Sequence, residues 1–184
     1  MRVIAGVARS LILKSPEGDH TRPTTDKYKE TLFNVLQPYV GCGVFVDLFS
    51  GSGAIGIEAL SRGAKKAYFV DDNMKANKCI LENLKHTKLI DNAIVLKQDA
   101  AFALAYSVKE PIDILFMDPP YKDHKEIQVL QVAAESKYVT EDTVIVVECD
   151  YDADFEIVES LGFEVYKRKE YKNCQHVFIR RNCF

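Results

Sequence analysis

Hydrophobic residues along this chain fall into two kinds of segment. From Gly43 onward, short contiguous apolar runs rich in Val and Ile alternate with longer segments in which apolar residues recur every three or four positions. Contiguous runs are typical of strands covered on both faces, and the wider spacing is typical of amphipathic helices. The predicted strands are residues 44–49, 67–70, 93–97, 113–117 and 143–149, and the predicted helices are residues 54–63, 73–86, 100–106, 124–137 and 152–162. This alternation predicts an α/β fold with a doubly wound, mostly parallel sheet.

The C-terminal segment departs from this alternation. Residues 163–171 and 174–181 are two strand-like runs with a short gap and no helix between them. We therefore expect a hairpin, which brings the sheet to seven strands and makes one C-terminal strand antiparallel.

The N-terminal segment is also different. Residues 2–6 and 10–15 have the pattern of a small β-hairpin, and residues 24–36 that of a helix with Thr24 or Thr25 as its N-cap. A chain of 184 residues is long enough for one domain with a sizeable core. We expect a single domain over 1–184, with residues 1–23 as an N-terminal extension and 24–184 as the core.

Composition narrows the class of protein. The hydrophobic share of 47% and the charged share of 28% are ordinary for a soluble globular protein. No apolar run approaches the roughly 18 residues of a membrane span, and the first ten residues lack the apolar stretch of a secretory signal. We expect a cytoplasmic protein with no membrane partner. The five cysteines are far apart and form no C-x-x-C pair, which predicts free thiols and no metal site.

Charge is distributed unevenly along the chain. Residues 1–30 carry six Lys or Arg and four Asp or Glu, residues 163–184 carry six and two, and residues 31–162 carry twelve and twenty-one. The two basic ends flank an acidic middle, although the formal net charge is only −3. Solvated tails would give the same count, so the asymmetry alone assigns no partner.

A glycine-rich loop follows the first predicted core strand. Gly51, Gly53 and Gly56 have G-x-G-x-x-G spacing and open a predicted helix, and Asp71 ends the next strand twenty residues after Gly51. Glycines let backbone N–H groups approach a ligand, and the acid is suited to ribose hydroxyls. The pattern fits two ligands, a nicotinamide dinucleotide and S-adenosylmethionine.

Carboxylates near the loop favour the second ligand. Asp47 precedes Gly51 by four residues inside an apolar strand end, where it would repel the pyrophosphate of a dinucleotide. S-adenosylmethionine has no phosphate and carries a sulfonium and an amino group, both cationic. Asp71, Asp72 and Asp99 follow later strands and make the expected cleft more acidic.

The fourth predicted strand ends on Asp118-Pro119-Pro120-Tyr121. In an open parallel sheet, ligands bind beyond the carboxyl ends of the strands near the topological switch. The Asp118 carboxylate and the rigidly held Pro119 carbonyl could both accept hydrogen bonds from an exocyclic amine, which is otherwise a poor nucleophile. Tyr121 offers a ring on which a base can stack.

These residues carry a resemblance to a known family. The tetrapeptide is similar to the [D/N/S]-P-P-[Y/F/W] motif of S-adenosylmethionine-dependent amino-methyltransferases. The whole chain resembles, more narrowly, the RsmD-like family that methylates guanine N2 in bacterial small-subunit (16S) ribosomal RNA. The matching segments are RVIAG at 2–6, TRPTTD at 21–26, Glu30 with LFN at 32–34, DLFSGSGAIGIEALSRGA at 47–64, FVDDN at 69–73 and DPPY at 118–121.

The resemblance implies a Rossmann-like class I methyltransferase fold, S-adenosylmethionine as cofactor, and ribosomal RNA as partner, free or in an assembled subunit. We also expect a monomer. The implied catalytic residues are Asp118, Pro119, Pro120 and Tyr121. The implied cofactor-binding residues are Asp47, Phe49, Ser50, Gly51, Ser52, Gly53, Asp71, Asp72, Asn73, Asp99 and Ala100. The implied RNA contacts are Arg2, Arg9, Arg22 and Thr24, on or next to the hairpin.

The chain departs from the family pattern in three places. Positions 7–12 of the hairpin carry only Arg9 where several basic residues are expected, Asp71 stands in place of Glu, and Tyr171-Lys172-Asn173-Cys174 replaces Y-G-x-T. The sequence leaves other functions open. These are an amino-methyltransferase of DNA adenine or cytosine, a non-catalytic RNA-binding module with the same fold, and, more remotely, a nicotinamide dehydrogenase.

Overall fold

The computed structural model describes residues 1–16, 26–120 and 124–182. Its centre is a seven-stranded sheet whose strands lie in the order β3-β2-β1-β4-β5-β7-β6. The strands are β1 Val44–Asp47, β2 Lys66–Val70, β3 Ala93–Leu96, β4 Ile114–Met117, β5 Val144–Cys149, β6 Phe163–Glu170 and β7 Gln175–Arg181. Strand β7 is antiparallel to both of its neighbours, and the pairs among β1 to β5 are parallel. The predicted sheet is confirmed.

Within the described ranges, six α-helices connect or flank the strands. They are α1 Asp26–Val40, α2 Ala54–Ser61, α3 Met74–Thr87, α4 Ala100–Tyr106, α5 Lys125–Glu135 and α6 Ile157–Ser160. Helix α1 continues beyond the predicted end at residue 36 because Leu36 and Val40 keep the i, i+4 apolar spacing, although Pro38 lies inside the last turn. Thr24 and Thr25, the predicted N-caps, lie outside the described residues.

The prediction of a helix over 152–162 is wrong for most of its length. Helix α6 has four residues. The Asp154 carboxylate accepts a hydrogen bond from the Glu156 N–H at 2.8 Å, an Asx turn that holds the preceding backbone out of helical geometry. A single turn is enough to bury Val158 beside Phe155, so packing does not require a longer helix.

The two faces of the sheet have separate cores. On one face Val46, Leu115 and Val147 pack with α4 and α5; on the other Phe45 and Phe116 pack with α1, α2 and α3. Burial of a large apolar side chain contributes about 1.5–3 kcal/mol, so each face gains its stability from several helices at once.

The N-terminal hairpin is present but minimal. Its one bridge pairs Arg2 with Ile12, and hydrogen bonds join Val3 N to Leu11 O at 2.9 Å and Ser10 N to Val3 O at 2.9 Å. The two full strands that the pattern indicated are not formed in residues 1–16. The reason is the packing of this segment on α2, whose side chains take the backbone donors that a ladder would have used.

Glu58 on α2 holds that segment in place. Its carboxylate accepts hydrogen bonds from the backbone N–H groups of Ile4 at 2.8 Å and Ala5 at 3.0 Å. Gly6 has φ +82°, and a Cβ at this position would lie 1.7 Å from the Ser61 carbonyl oxygen. The N-terminal extension is therefore fixed to the helix that follows the glycine loop.

The described cysteines form no disulfide. Cys42, Cys79, Cys149 and Cys174 are free thiols, as predicted, and Cys183 lies outside the described ranges. Among the described helices, none combines the length and apolar character needed to cross a membrane.

Candidate active site

A cavity of about 630 Å³ opens at the carboxyl ends of β1, β2, β4 and β5. It brings together most of the residues that the sequence implicated. Those lining it are Asp47, Phe49, Ser50, Gly51, Ser52, Asp71, Asp72, Asn73, Asp99, Ala100, Asp118, Pro119 and Pro120. Gly53 is not in the lining. Tyr121 lies outside the described residues, as do Arg22 and Thr24.

The glycine loop turns tightly between β1 and α2. Gly51 and Gly53 have φ values of +52° and +79°, in the left-handed region that L side chains rarely adopt. The Gly53 N–H donates to Ser50 O at 2.6 Å, and the Ser50 N–H donates to Val70 O at 3.0 Å. The loop is thus anchored to the end of the neighbouring strand, and its backbone forms one wall of the cavity.

Asp71 is connected to this loop. One carboxylate oxygen accepts from the Gly51 N–H at 2.8 Å, and the other accepts from the Asn73 N–H at 2.9 Å. A carboxylate oxygen can accept more than one hydrogen bond, so these contacts orient the group without exhausting its capacity. The geometry is suited to binding a pair of ribose hydroxyls.

Asp47 is buried in the floor of the cavity. Only 1% of the residue is exposed, and Oδ1 has no hydrogen-bond partner in the described part of the chain. Burial, reinforced by the nearby charge of Asp71, raises the pKa of Asp47 to about 7. A buried carboxylate oxygen without a donor is complementary to a ligand that supplies a positive charge or an N–H group.

Two other predicted cofactor residues, Asp99 and Asn73, are helix N-caps. Asp99 caps α4 by accepting from the Phe102 N–H at 3.1 Å, and Asn73 caps α3 by accepting from the Lys75 N–H at 2.8 Å. Each side chain is therefore held at the cavity edge by the start of a helix. Asp72 is exposed, with the Lys125 ammonium 3.9 Å away.

Asp118 lies at the end of β4, beside β1. Pro119 is buried and Pro120 is exposed, so the chain leaves the sheet at this point. Burial, followed by the charges of Glu148 and Asp47, raises the pKa of Asp118 well above its ordinary value. The group therefore has greater proton affinity than an exposed carboxylate.

Glu148 is a cavity residue that sequence reasoning missed. The β4–β5 register pairs Met117 with Val147, which places Asp118 next to Glu148. Its carboxylate bonds to His176 Nε2 at 2.9 Å, and His176 Nδ1 bonds to the Tyr171 hydroxyl at 2.9 Å. The available signal was a single acid at the end of an otherwise apolar strand, the same pattern that drew attention to Asp118.

Other lining residues were also missed. Tyr28 of α1 lies against the cavity, and its ring centroid is 4.4 Å from that of Tyr171. The remaining ones are Met1, Ser15, Pro16, Leu48, Ala54, Ile55, Ala76, Gln98, Phe116, Lys125, Asn173 and Cys174. Met1, Ser15 and Pro16 belong to the N-terminal extension, which therefore borders the cavity.

The predicted RNA contacts are placed only in part. Arg9 is exposed on the hairpin. Arg2 is also exposed, and its Nε donates to Asp26 at 2.8 Å. An exposed ion pair of this kind is worth little, so both guanidinium groups remain accessible to solvent near the extension.

Known proteins are similar to this chain in sequence along most of its length. The sequence family described as "Conserved hypothetical protein 95" matches residues 1–180. The chain belongs to this family. A relative from Bacillus subtilis, named "Putative rRNA methyltransferase YlbH", is 43% identical over 92% of each chain. One from Haemophilus influenzae, named "Ribosomal RNA small subunit methyltransferase D", is 36% identical over 83% of this chain and 80% of its own length.

A solved structure supports the same assignment. The Escherichia coli protein described as "Putative methyltransferase yhhF" superposes with a TM-score of 0.85, with 28% identity and coverage of 100% of this chain and 99% of that one. The class I methyltransferase fold is confirmed. Membership of this methyltransferase family implies S-adenosylmethionine as cofactor, and the acidic cavity with its unpartnered Asp47 oxygen fits a cation of this type.

Proposed function

We propose that this protein transfers the methyl group of S-adenosylmethionine to the exocyclic N2 amine of one guanine in small-subunit (16S) ribosomal RNA. The observation that carries the proposal is that one cavity is lined both by the glycine loop and by Asp118, Pro119 and Pro120. The names of the relatives from Bacillus subtilis and Haemophilus influenzae support ribosomal RNA as the substrate. Such an enzyme would act in the cytoplasm.

Binding of the cofactor is assigned to the glycine-loop side of the cavity. Asp71 would accept hydrogen bonds from the ribose, Asp99 would meet the adenine amine, and Asp47 would face the positive charge of the methionine moiety. S-adenosylmethionine supplies an electrophilic methyl group on a cationic sulfur. Among these residues, Asp47 contributes the strongest complementarity because its buried oxygen has no donor from the described protein residues.

Activation of the amine is assigned to Asp118 and Pro119. The carboxylate and the backbone carbonyl would accept the two N2 hydrogens, which orients the amine and makes its lone pair available to the methyl carbon. S-adenosylmethionine would supply the methyl group with its sulfur as the leaving group, and the methylated amine would then lose one proton. The raised pKa of Asp118 lets it hold that proton before release to water.

The N-terminal extension is assigned to RNA. Arg2 and Arg9 are exposed on it, and its residues Ser15 and Pro16 reach the cavity. Because so few basic residues are present, we propose that an assembled or partly assembled subunit, rather than naked RNA, completes the binding surface. Equal methylation rates on naked 16S RNA and on subunits would contradict this part of the proposal.

Substitution of Asp118 tests the assigned chemistry. Asp118→Ala should lower kcat by about 10²–10⁴-fold, the range for loss of a positioned acid–base group, while cofactor affinity measured by calorimetry changes little. Asp118→Asn keeps an acceptor and should retain more activity than Asp118→Ala. Asp91→Ala, in the turn before β3 and outside the cavity lining, is the matched control. Full activity of Asp118→Ala would overturn the assignment.

A further inference from the structure

Glu148 lies beside Asp118 at the same edge and on the same face of the sheet. The register pairs Met117 with Val147, so the next residues on the two strands are neighbours. Asp118 and Glu148 each follow by two positions a residue, Phe116 or Val146, that packs on the α1 and α2 face. Side chains alternate along a strand, so both carboxylates point to that face, and both line the cavity.

A buried histidine on β7 fixes the orientation of Glu148. Oε2 is bonded to His176 Nε2 at 2.9 Å, and His176 is fully buried on β7, directly opposite Glu148 in the register. An ionised carboxylate can only accept, so Nε2 carries the hydrogen of this bond.

Tyr171 holds the imidazole in turn. Its hydroxyl lies 2.9 Å from His176 Nδ1. Burial and the charge of Glu148 raise the pKa of Tyr171, so the hydroxyl keeps its proton and can donate a hydrogen bond to Nδ1. With Oε2 engaged in this way, the other oxygen, Oε1, makes no hydrogen bond within the described residues and belongs to a side chain that lines the cavity.

The edges of the three amine-bearing bases differ at the atom next to the amine. Guanine presents N1–H beside its N2 amine, so two donors stand side by side. Adenine and cytosine present an unprotonated ring nitrogen beside the amine, which is an acceptor. Two adjacent carboxylates accept from two adjacent donors, whereas a carboxylate facing a ring-nitrogen lone pair is left unpaired and repelled.

We infer that Glu148 is a specificity-determining residue, which accepts the N1–H of the target guanine while Asp118 and Pro119 hold its N2 amine. This inference rests on the proposed function and adds to it the reason why guanine, and not adenine or cytosine, is the base. His176 and Tyr171 are positioning residues that aim Glu148 at the base. A site built to pair a polar group rejects an analogue that lacks it far better than an apolar pocket does.

The test uses a base analogue and an isosteric substitution. The methylated nucleotide is first mapped by mass spectrometry, and 16S RNA is then prepared by ligation with guanine or 2-aminopurine at that position and assembled into subunits. 2-Aminopurine keeps the 2-amine but has an acceptor at N1. In Glu148→Gln the amide oxygen can still accept from His176, and the amide NH2 can donate to N1 of 2-aminopurine.

The measured quantity is the ratio of kcat/KM on guanine to kcat/KM on 2-aminopurine. The wild type should prefer guanine by about 10³-fold or more, and Glu148→Gln should lower that ratio by about 100-fold, as expected when a buried hydrogen-bonding match is exchanged. The missing O6 of the analogue affects both enzymes alike, so the change in ratio reports on N1. Glu164→Gln, on exposed β6, is the matched control and should leave the ratio unchanged.

Each outcome has a distinct meaning. An unchanged ratio in a folded Glu148→Gln enzyme that methylates guanine overturns the inference and leaves the proposed function standing. A wild-type enzyme that methylates no guanine overturns the proposed function itself. If Glu148→Gln does not fold, Tyr171→Phe is the deciding variant. We expect its ratio of kcat/KM on guanine to kcat/KM on 2-aminopurine to fall several-fold. Equal losses of kcat/KM on both bases would overturn the inference, because they would show that Tyr171, His176 and Glu148 have a purely structural role.

Discussion

Asn83 of α3 ties the glycine loop to the N-terminal extension. Its side-chain Nδ2 donates to Ser52 O at 2.9 Å and to Lys14 O at 3.0 Å, and its Oδ1 accepts from the Lys14 N–H at 2.9 Å. The residue is only 1% exposed. A single buried amide therefore connects the loop assigned to the cofactor with the segment assigned to RNA.

Removal of this amide should lower both the stability of the fold and the affinity for the cofactor. Asn83→Ala removes the side-chain partner of the Ser52 carbonyl and of the Lys14 N–H, and leaves the Lys14 carbonyl with only the Cys79 thiol as donor. The cost is about 1–3 kcal/mol for each group that stays buried and unpaired. We expect a lower unfolding free energy in urea and a several-fold weaker cofactor Kd. Asn34→Ala, at an exposed position of α1, is the control and should change neither. Unchanged cofactor affinity in Asn83→Ala would contradict the coupling.

Cofactor affinity should depend on pH through Asp47. The pKa of this group is raised from 3.8 to about 7 in the protein, so below pH 7 the carboxyl is protonated and a cationic ligand must displace the proton. The Kd of S-adenosylmethionine should therefore increase as pH falls from 8 to 6, by at most about tenfold per pH unit. Asp47→Asn should bind more weakly at pH 8 and show a shallower slope. An identical slope in Asp47→Asn would assign the effect to another group.

The same pKa shift makes a prediction for stability without cofactor. A group whose folded pKa is raised binds its proton more tightly in the folded state, so its contribution becomes less favourable as pH rises from about 4 to 7. Asp47→Asn should therefore increase the melting temperature at pH 8 and have less effect at pH 5. Thermal unfolding at the two pH values checks this. A variant that is destabilised at pH 8 would show that the carboxylate stabilises the fold.

Glu58 should be far more important for stability than its partner Lys29. The carboxylate accepts from Arg62 Nε at 2.8 Å and from two backbone N–H groups of the extension, and lies 3.3 Å from the Lys29 ammonium. Glu58→Ala leaves Lys29 buried without its counterion, which costs about 3–5 kcal/mol. Lys29→Met leaves the other three donors in place and should cost much less. Urea unfolding measures the loss of unfolding free energy in both variants. Equal losses would contradict the prediction that Glu58 is more important than Lys29.

Gly6 and Gly63 allow backbone strain to be separated from steric overlap. Both have positive φ, +82° and +104°, but a Cβ on Gly6 meets the Ser61 carbonyl at 1.7 Å while one on Gly63 meets nothing within 4 Å. Gly63→Ala should lose about 1–2 kcal/mol from the left-handed conformation alone. Gly6→Ala should lose more and should also slow methylation of subunits, because the extension shifts from α2. If Gly6→Ala and Gly63→Ala had equal effects on the free energy of unfolding and on the methylation rate, this placement of the extension on α2 would be contradicted.

The sheet and the cavity could be predicted because their signals are local. Contiguous Val and Ile runs indicated the parallel strands, and Asp47, Asp71 and Asp118 are each recognised from the strand that they end. Since parallel strands carry their carboxyl ends to one edge, those acids had to meet there. Most of the predicted cofactor residues line the cavity for this reason.

The contacts that were missed depend on register and on competition for backbone donors. Glu148 meets His176 only because β7 returns antiparallel with one specific pairing, and no local pattern contains that register. The short α6 follows from the carboxylate of Asp154, and the reduced hairpin follows from Glu58 on a distant helix. In the last two cases a side chain took a backbone group that the local pattern assigned to regular structure.

The most direct test of the central claim is methyl transfer from tritiated S-adenosylmethionine to small ribosomal subunits from a strain that lacks this gene, followed by nucleoside analysis. The proposed function predicts label in N2-methylguanosine of 16S RNA, and loss of that label with Asp118→Ala. DNA is offered as a second substrate in a parallel reaction. Label in DNA adenine or cytosine instead of 16S RNA would contradict the proposed function, as would cofactor binding without transfer to either substrate.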